Sequence, residues 1–283
     1  MSLVRGTILV FLVALVASSA TTGWAHGDLS ERITNLTAQI KVTPTNAALY
    51  FERGELHRLH QEFTDALADF DRAQKLNPKL AMADFCRGRA LSESGDAKAA
   101  LPPLTRYLAN ATNDAGAFAV RARVHMQLGN ARAAAEDFGR AVAIAPTGSP
   151  EFYIERAEAL ASSGAKEEAL RGLEQGIARI GPLITFQLQA IDLEASLKRY
   201  DAALKRVDSV STRAARKESW LVRRAEILKL AGRTQESNAA YREALAVLDK
   251  LPNSQRYTRA TIQLEASIRS AIREDVKPSP ASN

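Results

Sequence analysis

Residues 50–78 read YFERGELHRLHQEFTDALADFDRAQKLNP, and the spacing of residue types in this stretch returns along most of the chain. The position of its first glycine continues at intervals of 34 or 35 residues, through Gly54, Gly88, Ala122, Ala157, Ile191 and Ala225. A fixed period of this size is typical of a repeat protein, in which one supersecondary unit stacks on the next. The period therefore favours a repeat array over the single core of a globular enzyme.

Each period contains two amphipathic helix patterns separated by a turn signal, because apolar residues recur three and four positions apart. The small residue at Gly54 predicts a close crossing of two helices, since a large side chain there would push their axes beyond about 8–10 Å. Pro78 and Pro146 are placed to end second helices. Glycines stand where first helices should end in a left-handed cap, at Gly95, Gly129, Gly164 and Gly232.

These columns resemble the tetratricopeptide repeat, a helix-turn-helix unit with the signature aromatic-x-x-L-G-x-x-Y…A-x-x-x-F…P. One unit carries it as Tyr50, Gly54, Ala66, Phe70 and Pro78, and another as Phe118, Ala122, Ala134, Phe138 and Pro146. The resemblance covers about residues 45–250. It implies an all-α fold, a right-handed α-solenoid of about six helix-turn-helix repeats with N- and C-terminal capping helices.

The predicted organisation has five parts: a signal peptide at 1–25, an N-terminal capping helix at 26–46, the repeat array at 47–252, a C-terminal capping helix at 253–274 and a disordered tail at 275–283. Pro102 and Pro103 near the start of a second helix predict that this helix begins late or kinks. The fifth repeat, about 184–217, matches least well because Ile191 replaces the small residue, but it is expected to pack.

The first residues follow the pattern of a signal peptide, with Arg5 before an apolar run over 7–17 and small or polar residues after it. Such a run is shorter than the about 20 residues of a spanning helix, so no membrane insertion is expected after its removal. Cleavage after Ala25 or after Ala20 fits the residues. The mature protein is therefore expected to be periplasmic or secreted.

Composition and motifs exclude several classes of function. The net charge of +6 is spread along the chain with no block of five basic residues, so nucleic-acid binding is not expected. No GxSxG, HExxH, CxxC or phosphate-binding glycine loop occurs, and the sequence predicts no catalytic residue, no enzyme and no cofactor. The single Cys86 cannot form an internal disulfide and is interpreted as a packed residue, with an intermolecular bridge as the alternative. No signal specifies an oligomeric state.

The resemblance implies that the first helices line a concave groove that receives a peptide or a partner helix. Helical spacing places ten side chains there: Phe51, Arg58, Met82, Phe85, Arg89, Arg123, Met126, Glu158, Asp192 and Glu226. The groove would be basic with apolar residues in the first three repeats and acidic in the last three. The predicted function is a non-enzymatic protein–protein interaction scaffold of the cell envelope, and the alternative for this face is a solvated surface with incidental polarity.

Two further sets of residues allow a sharper hypothesis. An arginine precedes the small residue in five repeats, at Arg53, Arg87, Arg121, Arg156 and Arg224. This arginine column suits either an anion-binding ladder or structural pairing with acids of the next helix, for which Asp69, Glu136 and Asp137 are candidates.

Among the histidines, His57, His60 and His125 are interpreted as packed residues. Cleavage after Ala25 would leave His26 as the first residue, where its amine and imidazole suit copper. An accessory protein of a membrane enzyme or metal-handling system is therefore the alternative function, and an architectural spacer is the third.

Overall fold

The computed structural model describes residues 22–214 and 216–274, with side chains from residue 28 to residue 272, and all regular structure in these residues is helical. Most of the predicted signal peptide and all of the predicted tail lie outside the described residues. Helix α1 begins at Thr22, within the segment predicted as signal peptide. None of the helices in this described part is both long and apolar enough to cross a bilayer.

The chain forms two compact units that divide between Tyr107 and Leu108. The helices of the first are α1 (Thr22–Val42), α2 (Ala47–Leu59), α3 (Phe63–Leu76), α4 (Ala81–Glu93) and α5 (Ala97–Leu108), whose last residue belongs to the second. The second unit contains α6 (Ala115–Gln127), α7 (Ala131–Ile144), α8 (Pro150–Ser162), α9 (Lys166–Ile180), α10 (Ile184–Ser196), α11 (Tyr200–Ser211), α12 (Glu218–Leu230), α13 (Thr234–Asp249), α14 (Asn253–Arg256) and α15 (Arg259–Glu274).

Within each unit a helix packs mainly on its neighbours in sequence. The described residues contain six first-and-second-helix pairs, from α2 with α3 to α12 with α13, so the predicted helix-turn-helix architecture is confirmed. Helix α1 packs on α2, and α15 packs on α13. Ile268 of α15 is buried in the same apolar cluster as Tyr241 and Leu248 of α13.

The turn inside each pair uses one left-handed residue, as the glycine positions predicted. Gly95, Gly129, Gly164 and Gly232 all have positive φ, between 75° and 90°. The first and fifth pairs use Gln61 and Lys198 at the same place, with φ of 63° and 59°. L-residues with a side chain avoid this region, so these two turns are strained relative to the glycine turns.

The small column sits at close helix crossings, which confirms the reason given for it. A Cβ atom on Gly54 would lie 2.8 Å from the Phe70 ring, and one on Gly88 would lie 2.5 Å from Cγ of Leu104. Cys86 lies in the same unit, in an apolar cluster with Ala66, Phe70 and Ala90, as a packed residue would.

Helix α5 departs from the sequence prediction. It begins at Ala97 and contains both Pro102 and Pro103, so the expected late start is wrong. The carboxylate of Asp96 accepts a hydrogen bond from the amide of Ala99 at 3.0 Å and fixes the first turn before the prolines are reached. Leu104, which is fully buried, then keeps the following turn against α4.

The fifth repeat forms a complete pair, α10 with α11, as expected. Ile191 is fully buried in a cluster with Ala203, Leu204 and Val207. The larger side chain therefore fills the space between these helices without preventing the pair.

Candidate functional site

Helix α4, a first helix of the first unit, exposes a small apolar surface with a cation beside it. Met82 is 41% exposed, and the half-buried Phe85 stacks on Tyr107 with ring centroids 5.1 Å apart. The guanidinium carbon of Arg89 lies 5.6 Å from the Phe85 ring centroid, within the range of a cation–π contact. Met82, Phe85 and Arg89 are called the α4 patch below. Phe51, also predicted for this surface, turns its ring toward Phe70 at 6.0 Å.

Arg58 occupies a different environment from the other predicted groove residues. It is only 7% exposed, and its guanidinium donates to Glu55 at 3.0 Å and to Glu93 at 2.8 Å. Burial opposes its charge, but the hydrogen bonds to the two carboxylates raise its pKa above the ordinary value. Arg58 therefore joins α2 to α4 and is not a free contact for a partner.

Charged residues on the first helices of the second unit join each helix to the next. The guanidinium of Arg123 on α6 donates to both carboxylate oxygens of Glu155 on α8, each at 2.9 Å. Glu158 on α8 accepts from Gln189 on α10 at 2.8 Å. Asp192 on α10 pairs with Arg223 on α12. These contacts are called the first-helix ladder.

The charge contrast predicted for the groove is weakened by these pairs. Arg223 also approaches Glu226 at 3.2 Å, so one arginine serves two of the acids predicted to make the second half acidic. The carboxylate of Glu155 in turn offsets the positive charge of Arg123. Met126, also predicted for the groove, is half-buried. The partners Glu155 and Arg223 lie outside the aligned columns, so the sequence columns gave no sign of the pairing.

Partial desolvation alters the acidity of one ladder residue, although its side chain keeps an exposed face. It raises the pKa of Glu158, and the neighbouring carboxylate of Glu155 raises it further, while the hydrogen bond from Gln189 acts in the opposite direction. The ladder therefore contains one carboxylate whose charge is disfavoured by its surroundings.

The arginine column pairs with aspartates, as the structural interpretation predicted. Arg53 forks onto Asp69 and Arg121 onto Asp137, with Nε and Nη2 each 2.7 Å from a carboxylate oxygen. Glu136, the third predicted partner, instead lies 3.6 Å from Arg132. A forked pair of this kind is strong and directional.

Two other column arginines bind the preceding second helix. Arg87 pairs with Asp71, and Arg224 pairs with Asp208 at 2.7 and 2.8 Å. The column therefore holds second helices to first helices in two directions. Arg156 makes neither kind of pair.

Histidines gather at the turn between α2 and α3. Nδ1 of His57 lies 2.6 Å from Glu62 and Nδ1 of His60 lies 2.9 Å from the other oxygen of the same carboxylate. These contacts hold the pKa of Glu62 below its usual value. One ligand atom from each of His57, Glu62 and Asp65 lies within 4.8 Å of the other two, so this cluster suits a divalent cation.

The remaining histidines do not join that cluster. His125 sits in the second unit, 3.9 Å from Asp137, and burial lowers its pKa. This agrees with the interpretation of a packed side chain. His26 lies in α1, but its side chain is outside the described ones.

Comparison with models of known protein families shows which family the chain belongs to. A model of the tetratricopeptide repeat matches four overlapping segments, at residues 22–81, 51–117, 85–149 and 120–183. Together they span more than half of the 283 residues, and the chain belongs to the tetratricopeptide repeat family. A search of curated proteins gave no match.

Several solved structures share the fold. A tetratricopeptide repeat protein from Parabacteroides merdae has a TM-score of 0.53 and 19% identity, with 90% of this chain and 94% of that one covered. YrrB, described as a TPR protein with an unusual peptide-binding site, has a TM-score of 0.54 and 20% identity, with 71% of this chain and 97% of YrrB covered. MamA has a TM-score of 0.51 and 22% identity, with 55% of this chain and 85% of MamA covered. At these identities the likeness concerns the fold.

Proposed function

We propose that this protein is a non-enzymatic interaction scaffold of the cell envelope, which binds a peptide or a helix of a partner protein on its first-helix surfaces. The observation that carries the proposal is the α4 patch, an exposed apolar surface on a first helix of a tetratricopeptide repeat protein. Repeat proteins of stacked helices use extended surfaces of this kind for binding. The peptide-binding site ascribed to the structurally similar YrrB supports the same class of function.

The α4 patch has the chemistry of an interface anchor. Met82 adapts its shape to an apolar partner group because its side chain is flexible and polarisable. Arg89 stacks on Phe85 and stands 3.7 Å from Glu93, an ion pair that exposure to solvent makes weak. Aromatic and arginine side chains are enriched among the residues that dominate binding energy. An acidic residue next to an apolar one in the partner would satisfy both parts of the patch.

The first-helix ladder offers a second, polar contribution. Its pairs are solvent-accessible, with 47% of the Arg123 side chain exposed. Exposed ion pairs contribute only about 0–1 kcal/mol, so a partner carboxylate can replace Glu155 at Arg123 with little loss. Such exchange fixes orientation and register more than affinity.

The envelope location rests on the N-terminal pattern. Arg5, the apolar run over 7–17 and the small residues up to Ala25 support export followed by cleavage. Fractionation of the cells with N-terminal sequencing of the mature protein tests this part alone. A cytosolic protein that retains Met1 contradicts it.

Site-specific photocrosslinking tests the binding surface. Benzoylphenylalanine in place of Met82 is expected to capture a partner, while the same group in place of the exposed Lys75, on the second helix α3, is not. Arg89→Glu should weaken that capture, and Lys98→Glu, an equal charge change on α5, should leave it intact. Equal capture from both positions, or capture unaffected by Arg89→Glu, contradicts the proposal.

A second candidate function is metal handling, which the cluster of His57, Glu62 and Asp65 favours. Calorimetric titration with Zn²⁺ and Cu²⁺ of the mature protein and of His57→Ala measures it. Loss of binding in the variant assigns the ion to the cluster. Binding that survives in the variant but disappears when His26 is removed assigns it to the N-terminus, and no binding excludes this candidate.

A further inference from the structure

One arginine of the column lacks the acid that its counterparts have. The pairs with Asp69 and Asp137 lie sixteen positions after the arginine, and those with Asp71 and Asp208 lie sixteen before it. Two acid positions are thus available to a column arginine, one on its own second helix and one on the preceding second helix. The chain fills one of them at four of the five arginines.

Both equivalent acid positions around Arg156 are glycine, and the preceding one is seventeen residues before Arg156 because the third and fourth repeats are spaced by 35 residues. Gly172, sixteen positions after Arg156, stands on α9 where Asp69 and Asp137 stand on their helices. Gly139 follows Phe138 on α7 as Asp71 follows Phe70 on α3. A Cβ atom on Gly139 would lie 3.5 Å from Nε of Arg156, so this position does face the guanidinium.

The Arg156 guanidinium is left partly buried and incompletely satisfied. Its Nε is fully buried and has no hydrogen-bond partner within the described part of the chain. A buried donor without an acceptor costs about 1–3 kcal/mol. The nearby acids Glu136 and Glu168 face Arg132 instead, at 3.6 and 3.4 Å.

A cleft opens beside this group between α7 and α9, within the second unit. Its volume is 650 Å³, and its lining includes Arg156, Arg179, Gln175, Val142, Ala143 and Pro146. Arg179 is exposed at the rim, with one nitrogen 3.5 Å from the Tyr153 hydroxyl. No carboxylate is among the described residues that line the cleft, so two positive charges face it without an opposite charge.

We propose that this cleft binds a carboxylate, supplied by an acidic side chain of a partner peptide, on the guanidinium of Arg156. The incoming carboxylate takes the place beside Gly139, where Asp71 stands at Arg87 and Asp208 stands at Arg224. Nε and Nη2 of Arg156 both face that position. Arg179 adds a second charge at the rim, and the apolar wall accepts the hydrocarbon part of the peptide. The assignment of the carboxylate to a partner protein rests on the proposed function. The existence of a carboxylate site does not depend on it.

The site is separate from the surfaces already described. The α4 patch and the first-helix ladder lie on first helices, whereas this cleft opens between second helices. Gly139 lines the cleft and leaves room beside the charged group, since a Cβ atom at this position would lie 3.5 Å from Nε of Arg156.

Nuclear magnetic resonance of the Arg156 Nε–H group gives a direct readout, with the resonance assigned by its loss in Arg156→Lys. Four probes are titrated into the full mature chain: a hexapeptide with one glutamate between leucines, its glutamine analogue, succinate and inorganic phosphate. The glutamate peptide and succinate are expected to shift the resonance, and the glutamine peptide is expected to bind at least about tenfold more weakly. Because lysine cannot form the two-nitrogen fork, Arg156→Lys should weaken peptide binding by a similar factor, as measured by calorimetry.

Gly139→Asp tests the same geometry from inside the protein. A Cβ atom at this position would lie 3.5 Å from Nε of Arg156, so the new carboxylate should pair with the guanidinium and abolish binding of the glutamate peptide. Gly139→Asn has nearly the same size without the charge and should retain it. Loss of binding in both variants would mean that size alone blocks the cleft, and would contradict the pairing.

The other outcomes are equally definite. A resonance that no probe moves overturns the site, and one that only phosphate moves overturns the carboxylate assignment. Response to succinate but not to the glutamate peptide supports the carboxylate site while contradicting a protein source, and leaves the test at Met82 to decide the proposed function separately.

Discussion

One substitution, glycine to alanine, should have opposite effects at two helical positions of this chain. Alanine is favoured over glycine inside a helix by about 0.8–1.0 kcal/mol. At Gly172 the added methyl group would meet nothing within 4 Å, so Gly172→Ala should raise the free energy of unfolding by about 1 kcal/mol. At Gly88 the same methyl group would lie 2.5 Å from Cγ and 2.7 Å from Cδ2 of Leu104.

The clash at Gly88 outweighs the helix gain. Carbon atoms prefer separations of about 3.5–4.0 Å, so Leu104 would have to move by more than 1 Å. Leu104 is fully buried, and overpacking of such a site costs about 1–3 kcal/mol. Contacts as short as 2.5 Å to a buried side chain place the cost in the upper part of that range, about 2–3 kcal/mol. After the helix term is subtracted, Gly88→Ala should lower the free energy of unfolding by about 1–2 kcal/mol. The two variants should therefore differ by about 2–3 kcal/mol.

Urea unfolding followed by far-ultraviolet circular dichroism measures both variants under one set of conditions. The midpoint should rise for Gly172→Ala and fall for Gly88→Ala. Leu104→Ala provides the control, because removing the obstructing side chain should make the added cost of Gly88→Ala disappear, and contacting residues need not add. A Gly88→Ala protein as stable as the unmodified chain, or midpoints that move in the same direction, would refute the steric account.

Three other measurements follow from the turns and carboxylates. Gln61→Gly and Lys198→Gly should each stabilise the protein by about 0.5–1 kcal/mol, since relief of a left-handed conformation exceeds the added entropy of glycine; unchanged or lower unfolding midpoints would contradict this. Glu265, whose pKa the hydrogen bonds from Arg256 and Arg269 lower from 4.5 to about 2, contributes stability above pH 4.5 that is lost as the pH falls toward 2, so the deficit of Glu265→Gln at pH 7 should shrink in acid. Glu158 has a raised pKa, so its charge opposes folding at neutral pH. Glu158→Gln should therefore have a higher free energy of unfolding than the unmodified chain at pH 7, and this difference should fade on acidification. A difference that stays constant with pH would argue against the assigned cause.

Much of the architecture could be predicted because repeats copy a local solution to the same packing problem. The small residues at Gly54 and Gly88 and the left-handed glycines followed from geometry that any helix pair must satisfy. Of the two outcomes predicted for α5, a late start or a kink, the late start is wrong, because the helix begins at Ala97. There the cap at Asp96 and the burial of Leu104 outweigh the loss of two amide donors, and neither term is visible in helix propensity alone.

The candidate site could be predicted only in part, because charge pairing depends on neighbours from other helices. Helical spacing found Met82 and Arg89 on a first helix, where the structure places them. It also assigned Arg58 to an open groove, although that residue is buried between carboxylates of its own and the next first helix. The unpaired Arg156 was visible in principle, since Gly139 stands at the position where Asp71 and Asp208 stand in other repeats, but aligned columns draw attention to residues that are kept and not to those that are missing.

The single thiol of Cys86 can report how often the contact between α3 and α4 opens. Its thiol is 3% exposed, and burial together with the nearby Glu55 carboxylate raises its pKa to about 12. Alkylating reagents attack the thiolate, so modification in the folded state should wait for α4 to separate from α3. As the sequence has a single cysteine, the rate at which the whole chain takes up one label would time the opening of that helix contact without any engineered probe.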